Sequence, residues 1–435
     1  THTRFRRVLG LTFVVLLLGQ ACSRDSSDTS DADGRPSPPA ENGGQAQVTY
    51  HKDVAPLLSR NCLSCHQTGG IAPFALDTYA AAARYANAMR DSTAAHHMPP
   101  FLADVKANCE PLREVRVLSD NEINLIAAWV EQGSAEGTPP STPPTSPVPP
   151  SLPREDAVLR LAEPYTPTGS AAYPQDDYRC FVVDPGTKTD QFLTGYQVRP
   201  GNQAMVHHVI TYALNTDAAQ TAASAADQAD PAPGYACFGG SQVEVGDAPM
   251  VGGWAPGASI TQFPPGTGVR LVGLRKMVVQ IHYNLATVQG ADQSEVALQF
   301  ADTPVTEAVI LPLAARDMVL PPGQAETSIV ANSPTLPVPV NIHGVFPHMH
   351  TLGKSLRVEK RAVPDISQCL VTIPRWDFNW QQFFFFASPV PMSGTETARL
   401  TCTYDTSTRT SPVMWGEGTQ DEMCLNFFYV TGVAP

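Results

Sequence analysis

Charged residues are scarce in this sequence of 435 residues. They make up 16% of it, whereas about 25% is usual in soluble proteins. Basic residues are the scarcer kind, with 28 Lys and Arg against 41 Asp and Glu, and the formal net charge is −13. Nucleic-acid binding needs clustered Lys and Arg, so this balance argues against a nucleic-acid partner.

Long apolar runs and hydrolase motifs are also lacking. Outside the N-terminal segment, no run reaches the ~20 apolar residues that a membrane-spanning helix needs. The sequence has no Gly-x-Ser-x-Gly elbow and no phosphate-binding Gly-rich loop. Asp421 and Glu422 are adjacent beside a strand, where neighbouring side chains point apart rather than form an acid/base pair. Nothing here supports a hydrolase.

The N-terminal segment has the composition of an export signal. Basic residues including Arg6 and Arg7 precede the apolar run Val8–Leu18, and small residues lead to Cys22. The segment resembles a bacterial lipoprotein signal, which implies a lipid on Cys22 and a periplasmic or outer-membrane-anchored protein. A twin-arginine signal is the weaker alternative, because the residues around Arg6 and Arg7 fit it poorly.

Composition divides the chain into segments. Residues 23–47 are rich in Asp, Ser, Pro and Gly and predict a disordered tether. Helical spacing at Ala80–Met89 and Asp120–Gln132, with Ser119 as N-cap, predicts a small all-α domain. A linker with eight prolines follows at Gly137–Pro153. The predicted segments are a signal peptide (1–22), the tether (23–47), the helical domain (48–134), a Pro-rich linker (135–163) and two β-domains (164–302 and 303–435).

The rest of the chain is built of short apolar runs between Pro/Gly turns. The runs Val206–Leu214, Met277–Tyr283, Ala398–Tyr404 and Cys424–Val430 are strand-like. Several short strands at this spacing predict all-β sandwiches, and the length suits two of them, with a break near Asp302–Val305.

The helical domain carries a haem-attachment motif. Cys62 and Cys65 followed by His66 have the spacing at which two thiols bind haem vinyl groups and the histidine binds the iron. A disulfide or a zinc site would leave His66 unexplained. The surrounding sequence resembles small bacterial cytochrome c domains, which implies Met98 as the second axial ligand, with His96 and His97 as rivals. Histidine and methionine ligation suits electron transfer.

Six of the eleven histidines follow the linker. His207 and His208 are adjacent within a strand-like run, so both rings point one way only if the strand is bulged or ends there. His348 and His350 are two residues apart and project from one face. Each histidine alone is more simply a buried or surface residue, but the two pairs together favour a metal site. A Met423 ligand would favour copper over zinc, although a lone methionine is more often core packing.

These residues, with Gln280-Ile-His282-Tyr and Asp421-Glu-Met423-Cys, occur in the order found in copper type II ascorbate-dependent monooxygenases, the family of peptidylglycine α-hydroxylating and dopamine β-monooxygenases. The resemblance covers Tyr165 to Val430. It implies two jelly-roll sandwiches, each holding one copper ion, that face each other across an open cleft. The implied ligands are His207, His208 and His282 for an electron-transfer copper, and His348, His350 and Met423 for the catalytic copper that activates O2.

The resemblance therefore predicts an exported dicopper monooxygenase that hydroxylates a small or peptide-like substrate. The fused haem is expected to pass electrons from a periplasmic donor to the three-histidine copper. The stiff spacer is expected to let the helical domain dock on the copper domains and release from them. Phe346 stands where the peptide-amidating enzymes have an arginine that holds a substrate carboxylate, so a C-terminal glycine substrate is doubtful and a more apolar pocket is expected. The alternatives are a non-catalytic copper-binding or electron-transfer protein and a cell-surface adhesion module.

Two further features have competing interpretations. Trp376–Trp380 alternates aromatic and polar residues and predicts a core strand rather than an aromatic wall for substrate. His343 is expected to be structural rather than a partner of a copper ligand.

The nine cysteines can now be assigned. Beyond the lipid and haem cysteines, the resemblance implies a Cys402–Cys424 disulfide beside Met423, and Cys180 and Cys237 flank the His207 strand as a matching pair. Cys109 and Cys369 lie in different predicted domains, and they are expected to be free rather than bridged.

Overall fold

A computed structural model describes residues 47–68, 72–141, 151–171, 173–243, 248–256, 258, 260–286, 289–362 and 366–432. The predicted signal peptide, Cys22 and all of the tether except Gln47 lie outside this range. Strands dominate the described residues and helices are few. None of the described helices is both long and apolar enough to cross a membrane.

Short helices form the region before the linker. They are a π-helical turn (Tyr50–Val54), α1 (Ala55–Asn61), α2 (Tyr79–Arg84), α3 (Ala86–Ala94) and α4 (Asp120–Glu131). The predicted N-cap is confirmed, because the Ser119 hydroxyl accepts the Glu122 backbone N–H while the Glu122 carboxylate accepts that of Ser119. Apolar residues of these helices pack around the buried Trp129. These helices alone do not identify a cytochrome c.

Among the described residues, the first half of the β-region contains ten strands and one helix that the sequence pattern did not predict, α5 (Asp217–Ala229). The strands are β1 (Ala157–Arg160), β2 (Asp176–Val183), β3 (Gln191–Arg199), β4 (Val206–Ala213), β5 (Tyr235–Ala236), β6 (Met250–Trp254), β7 (Thr261–Gln262), β8 (Thr267–Leu271), β9 (Met277–Asn284) and β10 (Glu295–Phe300).

The described part of the second half also contains ten strands. They are β11 (Thr306–Ala314), β12 (Val319–Leu320), β13 (Thr327–Asn332), β14 (Val340–His348), β15 (Gly353–Ala362), β16 (Ile366–Ile373), β17 (Phe384–Met392), β18 (Thr397–Tyr404), β19 (Val413–Met414) and β20 (Leu425–Gly432). The four runs singled out in the sequence correspond to β4, β9, β18 and β20.

Two β-sandwiches result, each around an apolar cluster, and the first cluster also includes Ile310, Phe346 and Tyr429 of the second half. In the first, a five-stranded sheet (β5-β2-β9-β4-β6) packs against β1, β10, β3 and β8. In the second, a four-stranded sheet (β13-β18-β15-β16) packs against β11, β20, β14 and β17. β9 is buried along almost its whole length because Ile281 faces the sandwich core while Val278 faces a smaller cluster under α5. β18 alternates buried and half-buried residues, as expected of a strand with one covered face.

The two sandwiches share one sheet. β8 pairs in parallel with β11, Thr267–Val269 against Thr306–Ala308, so a nine-stranded sheet with the order β1-β10-β3-β8-β11-β20-β14-β17, and β7 added on β3, runs through both halves. The predicted break near Asp302–Val305 falls in the loop between β10 and β11. The sequence predicted two separate sandwiches and did not reveal this continuity, because a parallel pair three residues long leaves no periodic pattern.

The linker is not the only connection between the helical region and the β-region. Cys109 is bridged to Cys369 on β16. The expectation that these two cysteines are free was therefore wrong. It rested on their lying in different predicted domains, whereas residues after α3 cross onto the second sandwich and bring Cys109 to β16.

Candidate metal centre

Three histidines converge on the face of the five-stranded sheet. His207 and His208 lie on β4 and His282 lies on the adjacent β9. The pairing of β4 with β9 shifts register between Val206 and His208, which is the bulge that two adjacent histidines require to point the same way. One ring nitrogen from each histidine lies within 4.8 Å of the others. The Nδ1 of His208 is 3.3 Å from the Nδ1 of His207 and 3.3 Å from that of His282.

The outer side of His282 is fixed by neighbouring residues. Its Nε2 donates to the Asp176 carboxylate at 2.8 Å, and the Tyr178 ring stacks on the imidazole at 4.1 Å between centroids. Because Nε2 carries the proton, Nδ1 presents its lone pair to the cluster. The Nε2 of His207 is buried without a hydrogen-bond partner among the described residues.

The second pair of histidines lies at the end of β14. His348 Nδ1 donates to the Gln381 side-chain oxygen at 2.6 Å, and His350 Nδ1 donates to the Asp421 carbonyl at 3.1 Å. The Gln381 amide orientation follows from its own NH2 group, which donates to the Phe378 carbonyl. Both histidines therefore keep the Nε2 lone pair available for a metal ion.

Met423 is buried, and its backbone is held next to that of His350. The buried Glu422 carboxylate accepts the backbone N–H groups of His350 (2.9 Å) and Met423 (3.3 Å). The Tyr404 hydroxyl donates to the Met423 carbonyl at 2.7 Å. The adjacent Cys424 forms the expected disulfide with Cys402. The matching Cys180–Cys237 disulfide is also present.

The two histidine groups lie next to each other. The His208 and His348 ring centroids are 6.4 Å apart. Phe378 stacks on His207 at 4.4 Å and contacts His350 at 5.6 Å. This arrangement differs from the expected open cleft, because residues 417–421 of the second sandwich are hydrogen-bonded to β2 of the first.

All five imidazoles are uncharged at neutral pH. Burial lowers the pKa of His207 and His348 to about 4 and that of His350 to about 3. Burial and the neighbouring imidazoles hold the pKa values of His208 and His282 well below their usual range. Neutral imidazole is the form that binds metal ions, so this donor set is suited to copper or zinc.

The residues of the haem motif lie between α1 and α2. Cys62 and Cys65 are not in a disulfide, and burial raises the pKa of the Cys62 thiol to about 12. His66 Nδ1 donates to the Phe74 carbonyl at 3.0 Å, which leaves Nε2 available as a ligand. Met98 lies in the turn after α3, half-buried, with its backbone N–H on the Ser92 carbonyl.

Sequence reasoning missed the partners of the histidines. Asp176, Gln381 and Phe378 contact the rings from segments distant in sequence, and no local pattern marks them. The alternation at Trp376–Trp380 was the nearest indication, but it predicted a core strand. That prediction was wrong, because these residues lie in the loop between β16 and β17. His343 is placed apart from the cluster, where it bonds the Thr431 hydroxyl at 3.0 Å.

Comparison with known proteins connects this geometry to a chemistry. Residues 306–431 match the C-terminal domain of copper type II ascorbate-dependent monooxygenases. His348, His350 and Met423 lie within the matched range, and His207, His208 and His282 precede it.

Curated relatives have the same chemistry in their names. A tyramine beta-hydroxylase of Caenorhabditis briggsae is 24% identical over 251 residues, which cover 53% of this chain and 40% of that protein. Peptidyl-glycine alpha-amidating monooxygenase A of Xenopus laevis is 26% identical over 275 residues, 60% of this chain and 26% of that protein. The chain thus spans less than half the length of these two relatives. Together with the family match, they support a copper monooxygenase.

Among solved structures, an infectious bursal disease virus VP2 particle is similar at a TM-score of only 0.16 and 10% identity, over 65% of this chain and 74% of that one. A likeness this weak carries no argument about this protein.

Proposed function

We propose that this protein is an exported dicopper monooxygenase that hydroxylates a C–H bond of a small or peptide-like substrate, with electrons supplied through a c-type haem. The balanced reaction is R–H + O2 + two electrons + two protons giving R–OH and water. The observation that carries the proposal is the pair of adjacent imidazole groups, one of them within the region that matches the monooxygenase family.

The residues of both groups fit copper. His207, His208 and His282 present neutral ring nitrogens toward one point, and the buried Nε2 of His207 lacks a partner among the described residues. We assign these three to an electron-transfer copper, and His348, His350 and Met423 to the catalytic, O2-activating copper. Bound copper would supply the one-electron chemistry that O2 activation needs. The protein fixes the tautomers and excludes water around the rings.

The surroundings of His348 favour an apolar substrate. Phe346, two residues before His348, lies 5.0 Å from Phe383 and 6.3 Å from Phe427 between ring centroids. An aromatic cluster at this position offers no partner to a substrate carboxylate, whereas it packs well against apolar or aromatic groups. We infer that the substrate presents a neutral, apolar part here.

The haem motif fits covalent haem. Cys62 and Cys65 are not paired with each other, and the Phe74 carbonyl orients His66 as an axial ligand would be oriented. Met98 is the proposed second ligand, and a periplasmic one-electron donor would reduce the haem. Export, and anchoring to the membrane through a lipid on Cys22, complete the proposal.

The test is incorporation of oxygen from isotopically labelled O2 into candidate extracellular metabolites by copper-loaded protein. Loss of a metal's outer partners alone costs about 10–100-fold in affinity or activity, so replacing the ligand itself (Met423→Ile) is expected to lower product formation by at least ~100-fold. Met414→Ile is the matched control, because Met414 is 62% exposed on β19. Unchanged labelling in Met423→Ile would contradict the assignment of Met423 as a ligand of the catalytic copper, and no labelled product from the parent protein would instead favour a non-catalytic copper-binding or electron-transfer protein.

A further inference from the structure

Residues 101–116, which we call the strap, attach the helical region to the second sandwich. Leu102 and Ala103 are part of that sandwich's apolar core, and the Cys109–Cys369 disulfide joins the strap to β16. Backbone hydrogen bonds run along it: Asp104 N–H to Thr372 C=O, Glu110 N–H to Cys369 C=O, Arg113 N–H to Phe385 C=O, and Ala387 N–H to Pro111 C=O. A segment held in this way does not dock and release as a unit on a stiff spacer.

The strap and the turn containing Met98 meet one segment of the second sandwich, residues 375–382, which we call the bridging segment. Arg375 donates to the His96 carbonyl at 3.4 Å, two residues before Met98. Arg116 of the strap is hydrogen-bonded to Gln382. A narrow cleft is lined by Pro100, Leu102 and Arg116, by Trp380, Gln381 and Gln382 of the bridging segment, and also by Pro256 of the first sandwich.

The bridging segment also contacts the histidine cluster, and its hydrogen bonds to the cluster go to His348 and His350. Gln381 accepts the ring N–H of His348 at 2.6 Å. The Trp376 indole N–H donates to the His350 carbonyl at 3.1 Å. The contact of the bridging segment with His207 is the stacked ring of Phe378.

We infer that the strap fixes the turn of Met98, the proposed second haem ligand, beside the bridging segment, and that an electron from the haem enters the cluster at the His348, His350 and Met423 site rather than at the three-histidine site. One electron leaves ferrous haem and reduces one cupric ion, which gives ferric haem and cuprous copper. The external one-electron donor then restores the haem. The inference rests on the proposed function. It differs from the expectation drawn from the sequence, in which electrons enter at the three-histidine copper.

An anaerobic single-turnover experiment separates the two entry points. Protein with ferric haem and cupric copper is mixed with less than one electron equivalent of dithionite per haem, and the rise and decay of the reduced-haem absorbance are followed, with copper content measured in parallel. In His207→Asn/His208→Asn the fast phase is expected to remain, whereas in His348→Asn/His350→Asn it is expected to disappear. The reverse pattern overturns the inference and leaves the monooxygenase proposal standing. Protein without covalent haem or without copper binding would refute both.

The contact itself is tested without copper. Arg116→Gln removes the hydrogen bond to Gln382, and Arg113→Gln is the matched control, because Arg113 lies on the same strap but its side chain bonds the Phe263 carbonyl. In copper-free protein, Arg116→Gln is expected to increase amide hydrogen exchange in residues 375–382 several-fold, and Arg113→Gln is not. With copper restored, only Arg116→Gln is expected to slow haem reoxidation. Equal effects of the two variants on either measurement would contradict the role of the bridging segment.

Discussion

At the scale of single residues, Asp176 links the two sandwiches at a histidine ring. Its carboxylate accepts the Nε2–H of His282 at 2.8 Å and the hydroxyl of Thr419, from the second sandwich, at 2.6 Å. A carboxylate behind a metal-binding histidine fixes the tautomer and makes the imidazole a better ligand. The orientation of His282 therefore depends on the hydrogen bond by which Thr419 holds Asp176.

We expect Asp176→Asn to weaken copper binding at the three-histidine site by about 10–100-fold, the usual cost of losing such a partner. The measurement is a copper titration against a competing chelator. Asp177→Asn is the control, because the neighbouring Asp177 accepts the Tyr165 hydroxyl and the Thr168 N–H instead. Similar losses in both variants would show that the effect is a general weakening of β2.

The histidines could be found from sequence, but their partners could not. Adjacent His207 and His208 and the His348-x-His350 pair are local patterns that geometry makes informative, since strand alternation or a bulge decides where the rings point. Asp176 and Gln381 are 106 and 33 residues from the rings they contact. Their roles depend on tertiary placement, which no local spacing records.

At the scale of elements, residues 415–422 join the sandwiches and contain a carboxyl group with an unusual proton affinity. The Glu417 carbonyl accepts the Tyr178 hydroxyl at 2.7 Å. Burial raises the pKa of the Glu417 side chain to about 7, while Arg316 lowers it and Asp421 raises it. Because the folded-state pKa lies above the unfolded value, its contribution to stability is complete below about pH 4.5 and is lost as the pH rises through about 7.

We expect Glu417→Gln, which stays neutral at every pH, to gain stability relative to the parent protein between pH 5 and 8. The gain is on the order of 2 kcal/mol for this half-buried group, or a few degrees in Tm. Thermal unfolding across this range is the measurement. Glu396→Gln is the opposite-sign control: although burial raises the pKa of Glu396, hydrogen bonds from Ser393 and Lys360 lower it overall. A pH-independent difference in Glu417→Gln would contradict the assignment.

Elements with a strong local pattern were predicted well, and elements defined by long-range contacts were not. α4 begins at its Ser119 cap, and β4, β9, β18 and β20 coincide with apolar runs between turns. The strap has no apolar period, and only the short run Phe101–Ala103 and Leu112 reach the second core. Its conformation is set by pairing with residues more than 250 positions away, so it was not recognised.

At the scale of the whole molecule, the helical region is joined to the β-region twice, through the linker to the first sandwich and through the Cys109–Cys369 disulfide to the second. That disulfide spans 260 residues of sequence. In the chain-entropy account, a closed loop of this length stabilises the folded state by about 5 kcal/mol. The shared nine-stranded sheet joins the two sandwiches through backbone pairing of β8 with β11. The helical region and the two sandwiches therefore hold fixed positions around the histidine cluster.

This predicts that the helical region stays attached after the linker is cut. A protease site inserted within residues 142–150 separates Cys109 from Cys369 in the chain, so the two fragments are held together only by the disulfide and by the strap's non-covalent contacts. On a denaturing gel the cleaved protein should run as one species without reductant and as two with it. Cys109→Ser/Cys369→Ser should give two species in both cases. Two species from the cleaved parent without reductant would mean that the Cys109–Cys369 disulfide does not form.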